Sequence, residues 1–357
     1  GTSRKAEFFT SMVPHNMTWM KYPSQSQHPF INVRDIISSQ HIISRLMHGY
    51  IALLVPTGLL AGIIILGTFL KNCKQRTLDK LDTMIVALTC SNILIIFLSL
   101  TISTRPSYLK VSYLECGALS FFFNWGYFNS QYLLVLMMLS FLLKGYPPQN
   151  AVISRVHQKP MVCVGVVLTC AFCAATTVVA LLGIVNYHEE TDCQLDPLFA
   201  WPEYEIIKFT LGFCIPSVAN LLCFILSFVK KGQSESSITR QTIHPYWTVL
   251  VIAVTMFASR LFYNVMILAR TNLKIQGSIG TPQNELNMNI AEIMLFSESC
   301  ISLGIVLGLH KPCRTGLLHC ITNLTKVCRR RDASNRTPEI QGSHTEVSFA
   351  QPNNGSH

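Results

Sequence analysis

The sequence predicts an all-α membrane protein: a seven-transmembrane helix bundle with a short amphipathic eighth helix. Three observations carry this. Half of the 357 residues are hydrophobic and only 13% are charged, with a mean hydropathy of +0.37; a soluble chain of this size has no interior large enough to hide that much apolar surface. Seven stretches reach the roughly 20 apolar residues that cross a hydrocarbon core. Lys and Arg gather in alternate loops, which fixes a single threading direction.

The seven stretches are residues 51–70, 83–104, 116–143, 161–187, 209–229, 246–269 and 289–309. The first five carry no Asp, Glu, Lys or Arg, the sixth carries Arg260, and the seventh carries Glu292 and Glu298. No internal repeat or inverted pair of halves is visible, which counts against a secondary transporter. The predicted organisation is a disordered extracellular segment over residues 1–46, a membrane domain over 47–310, an amphipathic cytoplasmic helix over 311–330 and a disordered cytoplasmic tail over 331–357. With the N-terminus outside, the basic positions of the inner loops and tail include Lys71, Lys74, Lys144, Lys230, Lys231 and the run of three Arg at 329–331. The net charge of +10 is therefore an inner-face signal and not a nucleic-acid footprint.

The N-terminal segment has no apolar signal-peptide core, and Asn16 begins a glycosylation sequon on the expected outer side. Of 13 cysteines, only Cys116 and Cys193 fall at outward-facing positions. An oxidising exterior favours joining them; the alternative is two unpaired thiols. No Cys/His spacing suggests a metal site, no cofactor motif is present, and no nucleophile–base constellation or phosphate loop points to an enzyme. Residues 312–328 place Leu317, Ile321 and Leu324 at helical spacing beside Arg314 and Lys326, the pattern of an interfacial helix, with Cys320 and Cys328 placed for lipidation.

Motif by motif, the chain resembles the class A (rhodopsin-like) G-protein-coupled receptors over residues 47–330. Gly62 stands at the first-helix Asn, Leu88 and Asn92 fall on the Leu-Ala-x-x-Asp stretch, and "FCIP", from Phe213 to Pro216, fits the fifth-helix Phe-x-x-Pro. "SRLFYN" resembles Cys-Trp-x-Pro-Tyr-Asn, with Arg260 for Trp and Phe262 for Pro. "SLGIV" replaces Asn-Pro-x-x-Tyr, and Cys313-Arg314 begins the eighth helix. Counted from Cys116, Ser140, Phe141 and Leu142 fall on the Asp-Arg-Tyr triplet, and Pro148 falls on the second-loop proline. Stretches such as "VPTGL" and "IPSVANLLCFILSFVKK" are similar to an orphan branch of that class.

The resemblance implies a multi-pass receptor of the plasma membrane that couples an extracellular ligand to heterotrimeric G protein. Its G-protein face would hold Phe141, Leu142 and Pro148. The missing arginine at Phe141 keeps open a non-signalling, scavenger-type receptor; a transporter or channel is a remote alternative, since few polar residues line the spans. Charged residues at mid-membrane need partners, and the register predicts an ion pair between Arg260 and Glu298. Glu292 is the leading candidate for ligand contact, with Arg260, Glu298 and Tyr263 around it. The acids of the second outer loop, Glu189, Glu190, Asp192, Asp196, Glu203 and Glu205, read as an acidic vestibule that steers a basic peptide. The family's sodium pocket is altered to Asn92, Ser130, Glu298 and Ser302, and a neutralised Glu298 implies poor sodium binding.

Overall fold

In hydrocarbon every backbone N–H and C=O must be satisfied within the chain, so long apolar runs become helices. The computed structural model describes residues 33–75, 79–103, 111–145, 159–182, 190–191, 195–196, 200–231, 240–277 and 281–335. They contain seven helical segments long and apolar enough to span a membrane. Two compact units are present, one up to Arg314 and one from Thr315.

The first span runs through α1 (Val33–Gly49), a widened π turn (Tyr50–Leu54) and α2 (Val55–Lys74). Then come α3 (Lys80–Ser103), β1 (Val111–Ser112), α4 (Tyr113–Gly145), α5 (Pro160–Ala180) and β2 (Glu190–Thr191). The fifth span is α6 (Pro202–Phe209), a second π turn (Thr210–Cys214) and α7 (Ile215–Lys231); the sixth is α8 (Arg240–Ile275) and the seventh α9 (Pro282–Leu309). The last helix is α10 (Lys311–Asn335). Three helices start on proline, at Pro160, Pro202 and Pro282, where a missing N–H costs nothing and the fixed φ suits the first turn.

Both π turns stand just before a proline inside a span, at Pro56 and Pro216. A proline ring clashes with the carbonyl of the preceding turn, and widening the helix relieves the clash. In the second π turn the Ile215 N–H reaches the Thr210 carbonyl. The next carbonyl in that register, Leu211, would need an N–H from Pro216, which has none. The Tyr132 hydroxyl of α4 donates to it instead, at 3.1 Å. Gly212 sits in the same turn, where a Cβ would strike the Tyr127 and Phe128 rings, so glycine lets the fifth span close onto α4.

Helix α4 forms the axis of the bundle, with Phe123, Tyr127, Phe128, Leu133 and Met137 fully buried. The outward faces carry Leu60, Ile63, Val166, Leu221 and Val254, all exposed, the inside-out arrangement suited to lipid. β1 pairs antiparallel with β2, Val111 opposite Thr191 and Ser112 opposite Glu190. The pair ties the chain after the fourth span to the start of α4, and the end of the bundle that carries it is called the β end below.

The helices depart from the expected boundaries. Residues 33–46, expected to be disordered, lie in α1, whose Ile43 and Met47 recur at helical spacing with Tyr50 of the adjoining π turn and are buried. The surrounding polar residues mask that stripe in a hydropathy window. At the β end the fifth, sixth and seventh spans continue one to two turns past their apolar cores, to Pro202, Ile275 and Pro282. The fourth stops early, at Ala180, and α10 continues past residue 330 to Asn335. Asn16 lies outside the described residues.

Replacing Tyr132 by Phe removes one hydroxyl and orphans the Leu211 carbonyl. The expected loss is about 1–3 kcal/mol, read as a lower thermal midpoint of the purified protein, with Tyr132→Leu no better than Tyr132→Phe.

Candidate functional site

The extra turns carry charges that meet inside the bundle. On α8, Arg260, Tyr263, Asn264, Ile267, Arg270, Thr271 and Lys274 follow three- and four-residue spacing, so they share one face; all are buried except Lys274, which is half-buried. Opposite stand Tyr204, Glu205 and Lys208 on α6, and Glu285, Glu292 and Glu298 on α9.

Halfway down the bundle lies the Arg260–Glu298 pair, each 1% exposed. Arg260 Nε donates to Glu298 Oε2 at 3.0 Å and Nη2 to Oε1 at 3.2 Å. Nη1 donates to the Tyr127 carbonyl at 2.9 Å and Nη2 to Ser130 Oγ at 2.7 Å. Four of the five guanidinium donors are thus satisfied. The guanidinium also stacks 4.4 Å above the Tyr127 ring, a cation–π contact strengthened by desolvation. Asn264 donates to the Tyr127 hydroxyl at 3.0 Å.

This geometry meets the expected ion pair and reshapes the expected sodium pocket. The guanidinium takes up both the Ser130 hydroxyl and the Glu298 carboxylate, the groups a small cation would need. Asn92 and Ser302 do not join. Both side chains are buried, and their polar atoms have no hydrogen-bond partner among the described residues.

Nearer the β end, Lys208 Nζ donates to Asp196 Oδ1 at 2.6 Å and to the Tyr263 hydroxyl at 2.8 Å. Tyr204 donates to Asp196 Oδ1 at 3.0 Å, and Tyr263 donates to Asp196 Oδ2. Arg270 grips the Asp196 backbone carbonyl at 3.0 Å and the Glu285 carboxylate at 2.9 Å. Lys274 binds Glu205 at 2.5 Å, and Thr271 donates to the other Glu205 oxygen at 2.6 Å. Burial alone would raise the Asp196 carboxyl. The Lys208 charge, with hydrogen bonds from Lys208 and Tyr263, outweighs it and holds the group below the usual carboxylate range. A folded pKa below the unfolded value of about 3.9 means that this stabilisation is complete above that value and lost as pH falls through the lower, folded one.

These pairs correct two expectations. Glu203 and Glu205 belong to helix α6, and Asp196 and Glu205 are buried against cations, so these two acids do not add to a vestibule field. Glu203 is exposed, only the backbone of Glu190 is described, and Glu189 and Asp192 lie outside the described residues. Arg260, Glu292 and Glu298 are also not the only charges within the spans, because Glu205, Lys208, Arg270, Lys274 and Glu285 join them. An apolar window stops where charge begins, although the three-and-four spacing on α8 continues to Lys274. Tyr263, an expected ligand contact, donates to Asp196.

Glu292 stands apart. It is half-buried, makes no hydrogen bond or ion pair among the described residues, and lies within the field of Asp196, Arg270, Glu285 and Lys208. Counting the described cluster at the β end, four carboxylates (Asp196, Glu205, Glu285, Glu292) face three cations (Lys208, Arg270, Lys274).

Cys116 is disulfide-bonded, just beyond the β1 strand; Cys193 lies outside the described residues. At the opposite end, Phe141 and Leu142 are half-buried against the core, and Pro148 is not among the described residues. There His310 Nε2 meets Asp82 Oδ1 at 2.8 Å, both buried, with the Phe69 ring 6.0 Å from the imidazole. The nearby Cys313 thiol is pushed up to about 12 by burial and the Asp82 charge. In the second unit Cys320 is an exposed free thiol, and Leu318, Ile321 and Val327 are exposed; the side chains of Leu324 and Cys328 are not described. Among the described residues no His/Cys/Asp/Glu group could hold a metal ion.

No protein-family profile and no characterised protein matches the chain.

Arg260→Met leaves Glu298 buried without a counter-ion and is expected to cost about 3–5 kcal/mol. Arg260→Met combined with Glu298→Leu should recover most of that, which thermal unfolding of the single and double variants will read. Exchanging sodium for potassium should leave the parent midpoint unchanged.

Proposed function

We propose that this chain is a plasma-membrane receptor of the rhodopsin-like type, with its β end outside, that takes a ligand's cationic group at Glu292 and signals to heterotrimeric G protein. The observation that carries the reading is the odd carboxylate. The other three carboxylates of the described cluster each have a cation of their own, and an unpaired charge within a span is expensive. A ligand ammonium or guanidinium at Glu292 balances the cluster. The motif register from the first to the eighth helix and the gathering of Lys and Arg in alternate loops support the topology. Glycosylation at Asn16 and lipidation at Cys320 and Cys328 belong to the same proposal.

Arg260 and Glu298 sit below that position, and Tyr127 links the levels. Its carbonyl and ring hold Arg260, while its ring lies 6.1 Å from that of Tyr263. A cation drawn to Glu292 perturbs the Arg270 and Lys208 side chains first, and through Tyr263 and Tyr127 it reaches the α8–α9 ion pair. A basic peptide remains the favoured ligand, now on the strength of Glu292 and not of a broad acidic field.

A second reading is favoured by Phe141, which stands where the family's arginine lock belongs. It makes the chain a non-signalling receptor that captures ligand, with the far end of the bundle fastened by Asp82 and His310. Nucleotide exchange on purified G protein, measured with a panel of basic peptides, separates the two. The signalling reading expects stimulated exchange that Glu292→Gln weakens roughly tenfold or more. Binding of a peptide with no exchange in either the parent or Phe141→Arg supports the capturing reading.

A further inference from the structure

The Asp196 carboxylate occupies a cage built for a carboxylate. Lys208 Nζ and the Tyr204 hydroxyl converge on one oxygen, at 2.6 and 3.0 Å, and the Tyr263 hydroxyl takes the other. The ammonium lies 5.6, 5.6, 5.7 and 5.3 Å from the ring centroids of Phe123, Tyr127, Tyr204 and Tyr263. These rings exclude water and add cation–π attraction. Lys208, Tyr204, Tyr263, Phe123 and Tyr127 are all 0% exposed and Asp196 is 1% exposed.

The parts of this cage differ in origin. All three donors and all four rings stand on spanning helices. The acceptor alone comes from the connection between the fourth and fifth spans. That connection already has apolar anchors in Leu195 and Ala200, 1% and 3% exposed, so it does not need a desolvated charge to hold it down. Buried ion pairs stabilise poorly compared with apolar packing of the same volume. What such a cage does well is discriminate. It satisfies a carboxylate with charge-assisted hydrogen bonds and leaves an amide or a hydrocarbon mismatched.

We infer that the Lys208–Tyr204–Tyr263 cage is a carboxylate-binding site, filled in cis by Asp196, and that the ligand class it serves bears a carboxylate able to take that place. Replacement of one carboxylate by another conserves charge and every donor. That an external ligand makes the replacement rests on the receptor reading; the carboxylate chemistry of the cage does not. With Glu292 offering its charge to a cation nearby, the ligand carries both signs of charge.

The test is chemical rescue of the full chain in lipid nanodiscs, which needs neither agonist nor G protein. Asp196→Ala empties the cage and leaves Lys208 unpaired. In chloride its thermal midpoint, followed by tryptophan fluorescence, should fall by about 5 °C or more. Acetate at constant ionic strength should restore at least half of the loss in a concentration-dependent way. Acetamide should not, the parent should not respond, and Asp196→Ala with Lys208→Met should not respond to acetate. The inference is overturned if acetate does no more for Asp196→Ala than chloride or acetamide, or if it stabilises the double variant equally. Where Asp196→Ala yields no folded protein in chloride, recovery of monodisperse protein only in acetate supports the site, and failure in both salts overturns it. Loss of rescue leaves the Glu292 prediction standing, and an unresponsive Glu292 leaves the rescue standing.

Discussion

Arg260 carries five N–H donors into the middle of an apolar bundle, so its partners are obligatory. They come from two other spans. Glu298 on α9 supplies the counter-charge, and the Tyr127 carbonyl and Ser130 hydroxyl on α4 take the remaining donors. This one side chain fixes how α4, α8 and α9 meet. A sliding or rotation of α8 by one residue would carry the guanidinium out of reach of all three. The packing of Gly212 against the Tyr127 and Phe128 rings sets the approach of the fifth span to the same helix, so the axis of the bundle is held from two sides.

The β end repeats the principle with more members. Asp196, Lys208, Tyr204, Tyr263, Arg270 and Glu285 form a connected network in which each charge has at least one opposite charge. Such networks are costly when incomplete and rigid when complete. Among the described residues Glu292 is the incomplete position. The mid-bundle pair and the β-end network share Tyr127, whose ring lies under Arg260 and within 5.6 Å of Lys208. A change of charge at one level therefore has a short physical route to the other.

The far end is organised differently. No arginine stands at position 141, and the contact that ties the start of the second span to the end of the seventh is Asp82–His310. The Phe69 ring lies tilted beside the imidazole and Cys313 lies buried nearby. A buried acid–imidazole contact differs in kind from an arginine lock, because its charge depends on imidazole protonation.

The seven spans were legible in the sequence because hydrocarbon imposes a length and a polarity that a window can measure. The Arg260–Glu298 pair was legible because a mid-membrane charge has so few possible partners. Helix ends were not legible: Glu205, Lys208, Arg270, Lys274 and Glu285 are polar, and only burial against one another lets helix continue through them. Nor was it visible that Asp196, read as one acid of the outer vestibule, would be drawn into a cage of Lys208 and two tyrosines. Composition and periodicity determine which segments enter the membrane. Which charges pair inside, and hence that Glu292 is the one left over, depends on side chains far apart in the chain, and only the tertiary structure decides it.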